Sequence, residues 1–506
     1  MKSIFVNFLS DIYLENLVRS IYSNHGNKIY YLFDHKKPDN DDQLSKINFL
    51  DCTYLYDVKN FPKAFINVSK SSFNFEETKQ LEEGLVMVLK SLDRITPFPV
   101  SNVENEDYFW ELASYFKSFI LKTKDLSSIV FDNIPHMPWD LTLFYIAKIM
   151  NVKTLILRRT NIGGVSYICE DFRPNKLNYK FKYINNTNDI FKSEKNLNEK
   201  INILRNSEFA KSQIDGIWPE EFKDKKKINN FFGDNLTHYL SIFYSLIKVP
   251  KLQTLGANKM TFLNSTFSRQ RSINRLNFFK LKKDYRNKLR KLIIEDEKFS
   301  KNLKNLQNIN YIFFPLHFQP ERSTLPEGLS FDKQHMAIKL LSENIDNNLK
   351  IIVKDHPKQY YSDLRNHFYR NEDYLKKISE INNVIVVSRN HNYKQLLDNA
   401  LITASISGSV TWQGLLIGKP GITFSDTWLS DCESVLTMFN IDNVKSEINK
   451  LLIKNNSKVF QDIINFVEKN KSYFIDTVVY SKHLRFFDFK EKIPLENLKK
   501  YLLQRI

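Results

Sequence analysis

Tyr311-Ile-Phe-Phe-Pro315, Lys350-Ile-Ile-Val-Lys-Asp-His-Pro357, Val384-Ile-Val-Val387, Leu401-Ile-Thr-Ala-Ser-Ile-Ser-Gly-Ser409 and Gly421-Ile-Thr-Phe424 are short apolar runs set between Tyr311 and Asp426. Each is rich in β-branched and aromatic residues, and helical patterns separate them, which predicts a parallel sheet with crossover helices. Polar residues stand just past the carboxyl end of each run. That is where an open α/β sheet binds its ligand.

The polar residues after the fourth, second and first of these runs carry the more specific signals. The whole chain has 12 glycines, yet Gly408, Gly414, Gly418 and Gly421 crowd together, so glycine serves backbone geometry there. A strand leaving at Ile406, a tight turn and a helix starting near Ser409 would offer Ser405, Ser407, Ser409 and Thr411 at a helix N-terminus, an anion site suited to a phosphate. Plain N-capping accounts for one serine but not for the run. Pro357 has no N–H and forces His356 out of helical conformation, presenting the imidazole at a strand tip beside Lys354. A histidine so placed can donate to a phosphate or neutralise a leaving group. The loop Leu316-His-Phe-Gln-Pro-Glu-Arg-Ser-Thr324 mixes Gln319, Glu321, Arg322 and hydroxyls, which suits a polar ligand better than a packed core.

Upstream, Ile4–Leu9 reads as a buried strand, Asp11–Ser23 as a helix and Lys28–Phe33 as a second strand. This opens a Rossmann-like unit without a Gly-x-Gly-x-x-Gly turn, so no dinucleotide site is expected there. Helical patterns follow near 75–93 and 105–122. The strand Ser128–Phe131 delivers the loop Asp132-Asn-Ile-Pro-His-Met-Pro-Trp-Asp140, and Pro138 starts a helix that runs to Met150 before the strand Thr154–Leu157. Asp132, His136 and Asp140 are therefore candidate acids and bases at a strand-loop-helix junction. The competing reading has Asp140 solvated on a first helical turn, which favours acids anyway.

Residues 165–305 break the alternation. They are rich in Lys and Asn, and Lys280–Leu292 sets Leu281, Tyr285, Leu289 and Leu292 at helical spacing among bases. Such a helix fits an anionic membrane surface, or packs one apolar stripe on its own domain. The excess of 74 basic over 57 acidic residues, a net charge of +17, points to an anionic partner or simply to a Lys-rich surface. Cys52, Cys169 and Cys432 lie far apart with no paired spacing, so neither a zinc site nor a disulfide framework is predicted. No apolar run approaches the roughly 20 residues needed to span a bilayer, and no basic-then-apolar signal pattern opens the chain, so a cytoplasmic setting is expected.

Taken together, these residues resemble bacterial capsule and surface-polysaccharide biosynthesis proteins, including the Kdo transferases of capsule export systems. The resemblance rests on Pro315-Leu316 and its polar loop, Asp332 then Gln334, Val353-Lys-x-His-Pro357, Ser405-x-Ser-Gly-Ser409 and Trp412-Gln-Gly-Leu-Leu-Ile-Gly-Lys-Pro420. The His-Pro and Ser motifs occur also in bacterial sialyltransferases and, more loosely, in teichoic acid glycerophosphotransferases. The likeness covers about 310–430, touches 128–158, and leaves 165–305 unaddressed. It implies a GT-B fold and a CMP-activated donor sugar. His356 would contact the donor phosphate, Ser405, Ser407, Gly408 and Ser409 would hold phosphate or nucleotide with Lys354 and Pro357, and 316–324 would line the nucleotide cleft. Asp355 stands where the family has Glu, and Lys333 splits the Asp-Gln pair.

The sequence thus predicts an α/β chain of GT-B type with two Rossmann-like domains facing a cleft and a helical insertion. The expected divisions are 1–160, an acceptor-side domain; 161–305, a mostly helical basic insertion; 306–465, the nucleotide-sugar domain; and 466–506, a helical tail. The expected function is transfer of Kdo or a related acidic sugar to a glycan or lipid-linked glycan, without cofactor or metal, in the cytoplasm or peripherally on the inner membrane. UDP-sugar transfer and CDP-alcohol phosphotransfer are enzymatic alternatives. A non-catalytic scaffold is a different class, and nucleic-acid binding would need bases interleaved with aromatics on one surface, which Lys280–Lys291 does not supply.

Overall fold

The computed structural model describes residues 2–7, 12–25, 29–33, 48–56, 58–95, 101–123, 125–173, 197–206, 275–360, 370, 373–438, 441–479 and 492–504. Two sheets organise them. The first contains β1 (Lys2–Asn7), β2 (Ile29–Phe33), β3 (Asn48–Asp51), β4 (Leu126–Phe131), β5 (Lys153–Arg159), β6 (Val165–Cys169) and β13 (Ile475–Asp476), in the order β13-β6-β5-β4-β1-β2-β3. The second contains β7 (Tyr311–Pro315), β8 (Lys350–Lys354), β9 (Val384–Val387), β10 (Ile402–Ser405), β11 (Gly421–Thr423) and β12 (Val435–Thr437), in the order β12-β11-β10-β7-β8-β9.

β1 to β5 run parallel, and so do all pairs of the second sheet. Each sheet starts in its middle, grows outward one way for three strands, then reverses, which is the doubly wound Rossmann order. Two such units form a GT-B-like α/β fold. The reversal points lie between β1 and β4 and between β7 and β10.

The apolar runs form strands because both faces of each sheet are covered. Ile312 and Phe314 of β7 join one core cluster with Ile338 and Leu341 of the helix Gln334–Glu343, while Tyr311 and Phe313 join another with Leu396 and Leu397 of the helix Tyr393–Asp398. Alternate residues thus point to opposite cores, and the run reads as continuously apolar. The helix Val410–Leu416 lies so close to β10 that a Cβ on Gly414 would stand 2.6 Å from Thr403 Cγ2. The glycine crowding of the sequence is therefore a packing requirement.

Three boundaries differ from the sequence reading. β6 falls within 161–305, yet it pairs antiparallel with β5 and completes the first sheet. The stretch from 466 onward, read as a helical tail, supplies β13, which pairs antiparallel with β6. The helix Arg275–Phe299 belongs by packing to the second unit: Leu289, Leu292 and Ile293 are buried in its core, so at these positions the stripe offered to a membrane is already covered. The side chains of Leu281 and Tyr285, like residues 207–274, lie outside the described residues.

The returning segment is bound tightly. Tyr13 and Thr477 share a 3.0 Å hydroxyl hydrogen bond, Ser166 Oγ donates to Thr477 O at 2.9 Å, and Asn497 donates to Asp476 O at 3.0 Å. Ile475, Val478, Leu498, Tyr501 and Leu502 share a core with Phe5, Leu17, Val130 and Leu155 of the first unit. Leu502 is fully buried there. Leu502→Ala is expected to cost about 2–5 kcal/mol by cavity formation, read as a lower urea midpoint.

Candidate functional site

The loop after β7 carries the second unit onto the first. Arg322 donates to Asn133 Oδ1 in the loop after β4 and pairs with Glu327 at 2.8 Å, while Arg158 at the end of β5 reaches the same Glu327 at 3.3 Å. Arg94 donates to Leu325 O at 2.9 Å and to His136 O, one carbonyl from each unit. Lys90 pairs with Asp332 at 3.2 Å. The carboxyl edges of the two sheets therefore face one another, and the pocket between them is lined by Arg94, Gln319, Glu321, Thr324, Asp332 and Tyr374, among others.

At the reversal point of the second sheet a histidine meets the serine turn, and a second histidine follows the neighbouring strand. His317 follows β7, and Ser407, which follows β10, donates its backbone N–H to His317 Nε2 at 3.3 Å. A Cβ on Gly408 would lie 2.9 Å from His317 Cε1, so only glycine lets the ring sit there. Gly408 N–H donates to Ser405 Oγ at 3.0 Å, and Ser407 Oγ donates to Ser323 O at 2.8 Å. His356 follows β8. Its Nδ1 accepts from Lys358 N–H at 3.1 Å, and its ring lies 5.9 Å from that of Phe318.

These bonds fix the tautomers. His317 accepts at Nε2 and carries its proton on Nδ1; His356 accepts at Nδ1 and carries its proton on Nε2. Burial holds the His317 imidazole down to about 4. Burial, with Lys358, His317, Lys354 and Arg370 nearby, holds that of the half-buried His356 down to about 3. Each neutral ring carries one N–H donor, His317 against the glycine turn and His356 at the end of β8.

A pH dependence follows. Both folded values lie below the ordinary 6.5, so the unfolded chain binds more protons between them, and stability is full above about pH 6.5 and falls as pH drops toward 4. The His317 shift alone corresponds to about 3 kcal/mol. Urea midpoints measured at pH 7.5 and 4.5 should fall, and His317→Gln should reduce the difference.

Other expected donor-binding residues also make hydrogen bonds within the chain, Gln319 and Glu321 among those that line the pocket. Lys354 is buried and donates to Arg389 O at 2.6 Å. Gln319 is bracketed by Gln359, which accepts from its N–H at 3.0 Å and donates to its carbonyl at 3.1 Å. Glu321 is exposed and accepts from Ser323 at 3.1 Å; Ser409 Oγ accepts from Gln413 at 3.3 Å. The helix after Ser409 has seven residues, and its first internal bond is Gln413 N–H to Ser409 O at 2.9 Å. So short a helix sums few peptide dipoles, and the histidines outweigh the helix end that the sequence favoured. His317 is not among the expected site residues, although its place two residues past the first strand of the unit marks it.

In the facing loop, Asp140 Oδ1 accepts from the N–H groups of His136 at 2.8 Å and Met137 at 2.7 Å, at the start of the helix Pro138–Ile149. It acts as a helix cap, and burial holds its carboxyl well above the usual range. His136 Nδ1 donates to Ile134 O at 2.7 Å, which leaves Nε2 as the lone-pair nitrogen; burial, then Arg94 and Arg322, hold its pKa well below the usual value. Asp132 is buried at the end of β4, its N–H donating to Val6 O at 3.1 Å. Among the described residues no group of three or more His, Cys, Asp or Glu could hold a metal ion, and no helix is long and apolar enough to cross a membrane.

No family model and no curated protein matches the chain. Solved structures align with it at low similarity. The beta Kdo 2,7 transferase of Thermosulfurimonas dismutans KpsC is 9% identical, with 86% of this chain and 97% of that one covered, at a TM-score of 0.29. The apo structure of OtsA is 10% identical, with 93% and 96% covered, at 0.28. UDP-GlcNAc 2-epimerase from Methanocaldococcus jannaschii is 11% identical, with 93% and 100% covered, at 0.22. Values this low say nothing of activity, and the fold rests on the two doubly wound sheets themselves.

Proposed function

We propose that this chain is a glycosyltransferase that moves a sugar from a nucleotide-activated donor to a glycan or lipid-linked glycan, with a CMP-activated acidic sugar of the Kdo type favoured. One observation carries the reading: His317 meets the Ser407-Gly408 turn at the reversal point of the second sheet, His356 follows the adjacent strand β8, and the loop bearing His136 faces that edge from the first unit. The motif likeness to capsule biosynthesis proteins supports the choice of donor.

The chemistry required is modest. As the sugar–oxygen bond breaks, the nucleotide phosphate gains negative charge. His356 Nε2–H and the neutral ring of His317 supply preorganised donors to that charge. The acceptor hydroxyl loses its proton to a base on the first unit. The candidates for that base are Asp140, His136 and Asp132 at the strand-loop-helix junction, Asp140 also capping the helix that follows His136. Asp140→Ala should cost about 0.5–2 kcal/mol of stability, seen in urea titration, through loss of the cap. The proposed setting is cytoplasmic, next to the inner membrane where lipid-linked acceptors lie, and the proposed chemistry uses no cofactor.

A thermal-shift panel of CMP, CDP, UDP, UMP, GDP and AMP tests the reading. A ligand that binds the folded chain at 100 times its dissociation constant adds about 2.7 kcal/mol. Selective stabilisation by CMP supports the Kdo-type donor, CDP would favour alcohol phosphotransfer, and UDP a hexose transferase. No response to any nucleotide sinks the transferase.

A further inference from the structure

Behind the two histidines lies a guanidinium that the proposed chemistry does not use. Arg370 is almost wholly buried. It donates to Asp355 Oδ1 at 2.9 Å, to His317 O at 3.0 Å and to Gln319 Oε1, and its plane covers the Tyr374 ring at 4.5 Å. Asp355 Oδ1 also accepts the backbone N–H of His356 at 2.8 Å, and Oδ2 accepts from Tyr360 at 3.1 Å. One side chain thus grips the loop after β7 through two acceptors and the loop after β8 through a carboxylate bonded directly to His356.

We propose that Arg370 is the positioning residue that holds His317 and His356 in fixed, opposite tautomers so that both rings address one phosphate. This rests on the reading that these histidines hold the donor's phosphate. The planar fork of an arginine satisfies three acceptors in two loops at once, where a lysine would offer a point charge and satisfy fewer. Burying the charge is tolerable because Asp355 neutralises it and both terminal nitrogens are hydrogen-bonded, although Nε has no acceptor among the described residues. Arg370 touches no reacting atom, so its effect travels through the loops: if they slide against one another, His317 is carried off the Ser407 N–H that its Nε2 accepts, and once Asp355 releases His356 N–H the turn in which Lys358 N–H holds Nδ1 of His356 loosens, so that a ring becomes free to exchange tautomers.

The test is side-chain nitrogen NMR at pH 7.5 on the full chain labelled at histidine, with His317→Gln and His356→Gln used for assignment. The wild type should show one ring protonated solely at Nδ1 and the other solely at Nε2. In R370K and R370M at least one ring should shift to an averaged tautomer pattern, and affinity for CMP should fall about tenfold, the worth of one hydrogen bond. Both variants are first checked for folding by circular dichroism; R370K keeps the charge and decides the matter where R370M does not fold. Two unchanged single tautomers in a folded R370K overturn the proposal. A wild type that ignores CMP while R370K still loses a tautomer sinks the donor reading and leaves Arg370 as the brace.

Discussion

His356→Ala is expected to lower turnover by about 10²–10³, the effect of removing one preorganised donor from a developing oxyanion. The reason is geometric. Pro357 and the Lys358 N–H hold the ring so that its only proton, on Nε2, is available to a ligand, and alanine removes that proton without touching the sheet. The measurement is sugar release from the donor that the thermal-shift panel selects, with the melting temperature as control. Turnover within twofold of wild type would remove His356 from the mechanism. His356→Gln, which keeps an N–H donor of similar reach, should recover part of the loss.

Asp355→Ala is expected to destabilise the chain by about 3–5 kcal/mol. Asp355 and Arg370 form a buried pair at 2.9 Å, and deleting one member strands the other's charge away from water. The same deletion releases the N–H of His356 and the hydroxyl of Tyr360. The urea midpoint reads the effect, and adding Arg370→Met should restore part of it, because the double variant leaves no orphaned charge. A double variant as unstable as the sum of the two singles would mean that the pair is not coupled.

How far the sequence was legible depended on how local each signal was. Strands β1, β2, β4, β5 and β7 to β11 announced themselves as runs of apolar residues, and in β1, β4, β5, β7, β8, β10 and β11 residues pointing to both faces are buried. β3, β12 and β13 are edge or two-residue elements with too few residues to show a period, and β6 lay in a region whose Lys and Asn content concealed it. The His-Pro and serine motifs were readable because Pro and Gly restrict the backbone around them. Their partners were not: that Lys354 would turn to Arg389, that Asp140 would cap its own helix, or that His317 would meet Ser407 across 90 residues depends on strand order, which the residues themselves do not spell out. Arg370 was invisible for the same reason, since nothing local distinguishes an arginine that will be buried from one that will not.

β13 has a consequence for how the protein is made. The outer edge of β6 is covered by residues that follow it by about 300 positions in the chain, and Tyr13 waits still longer for Thr477. At 5–20 residues per second, roughly 15–60 s of translation pass before that edge finds its partner. During that interval the nascent first sheet presents an unpaired strand and an uncovered apolar face at Phe5, Leu17 and Val130, the conditions under which strands pair with the wrong chain. Slower translation, or the loss of the last thirty or so residues, should therefore show first as aggregation of newly made chains.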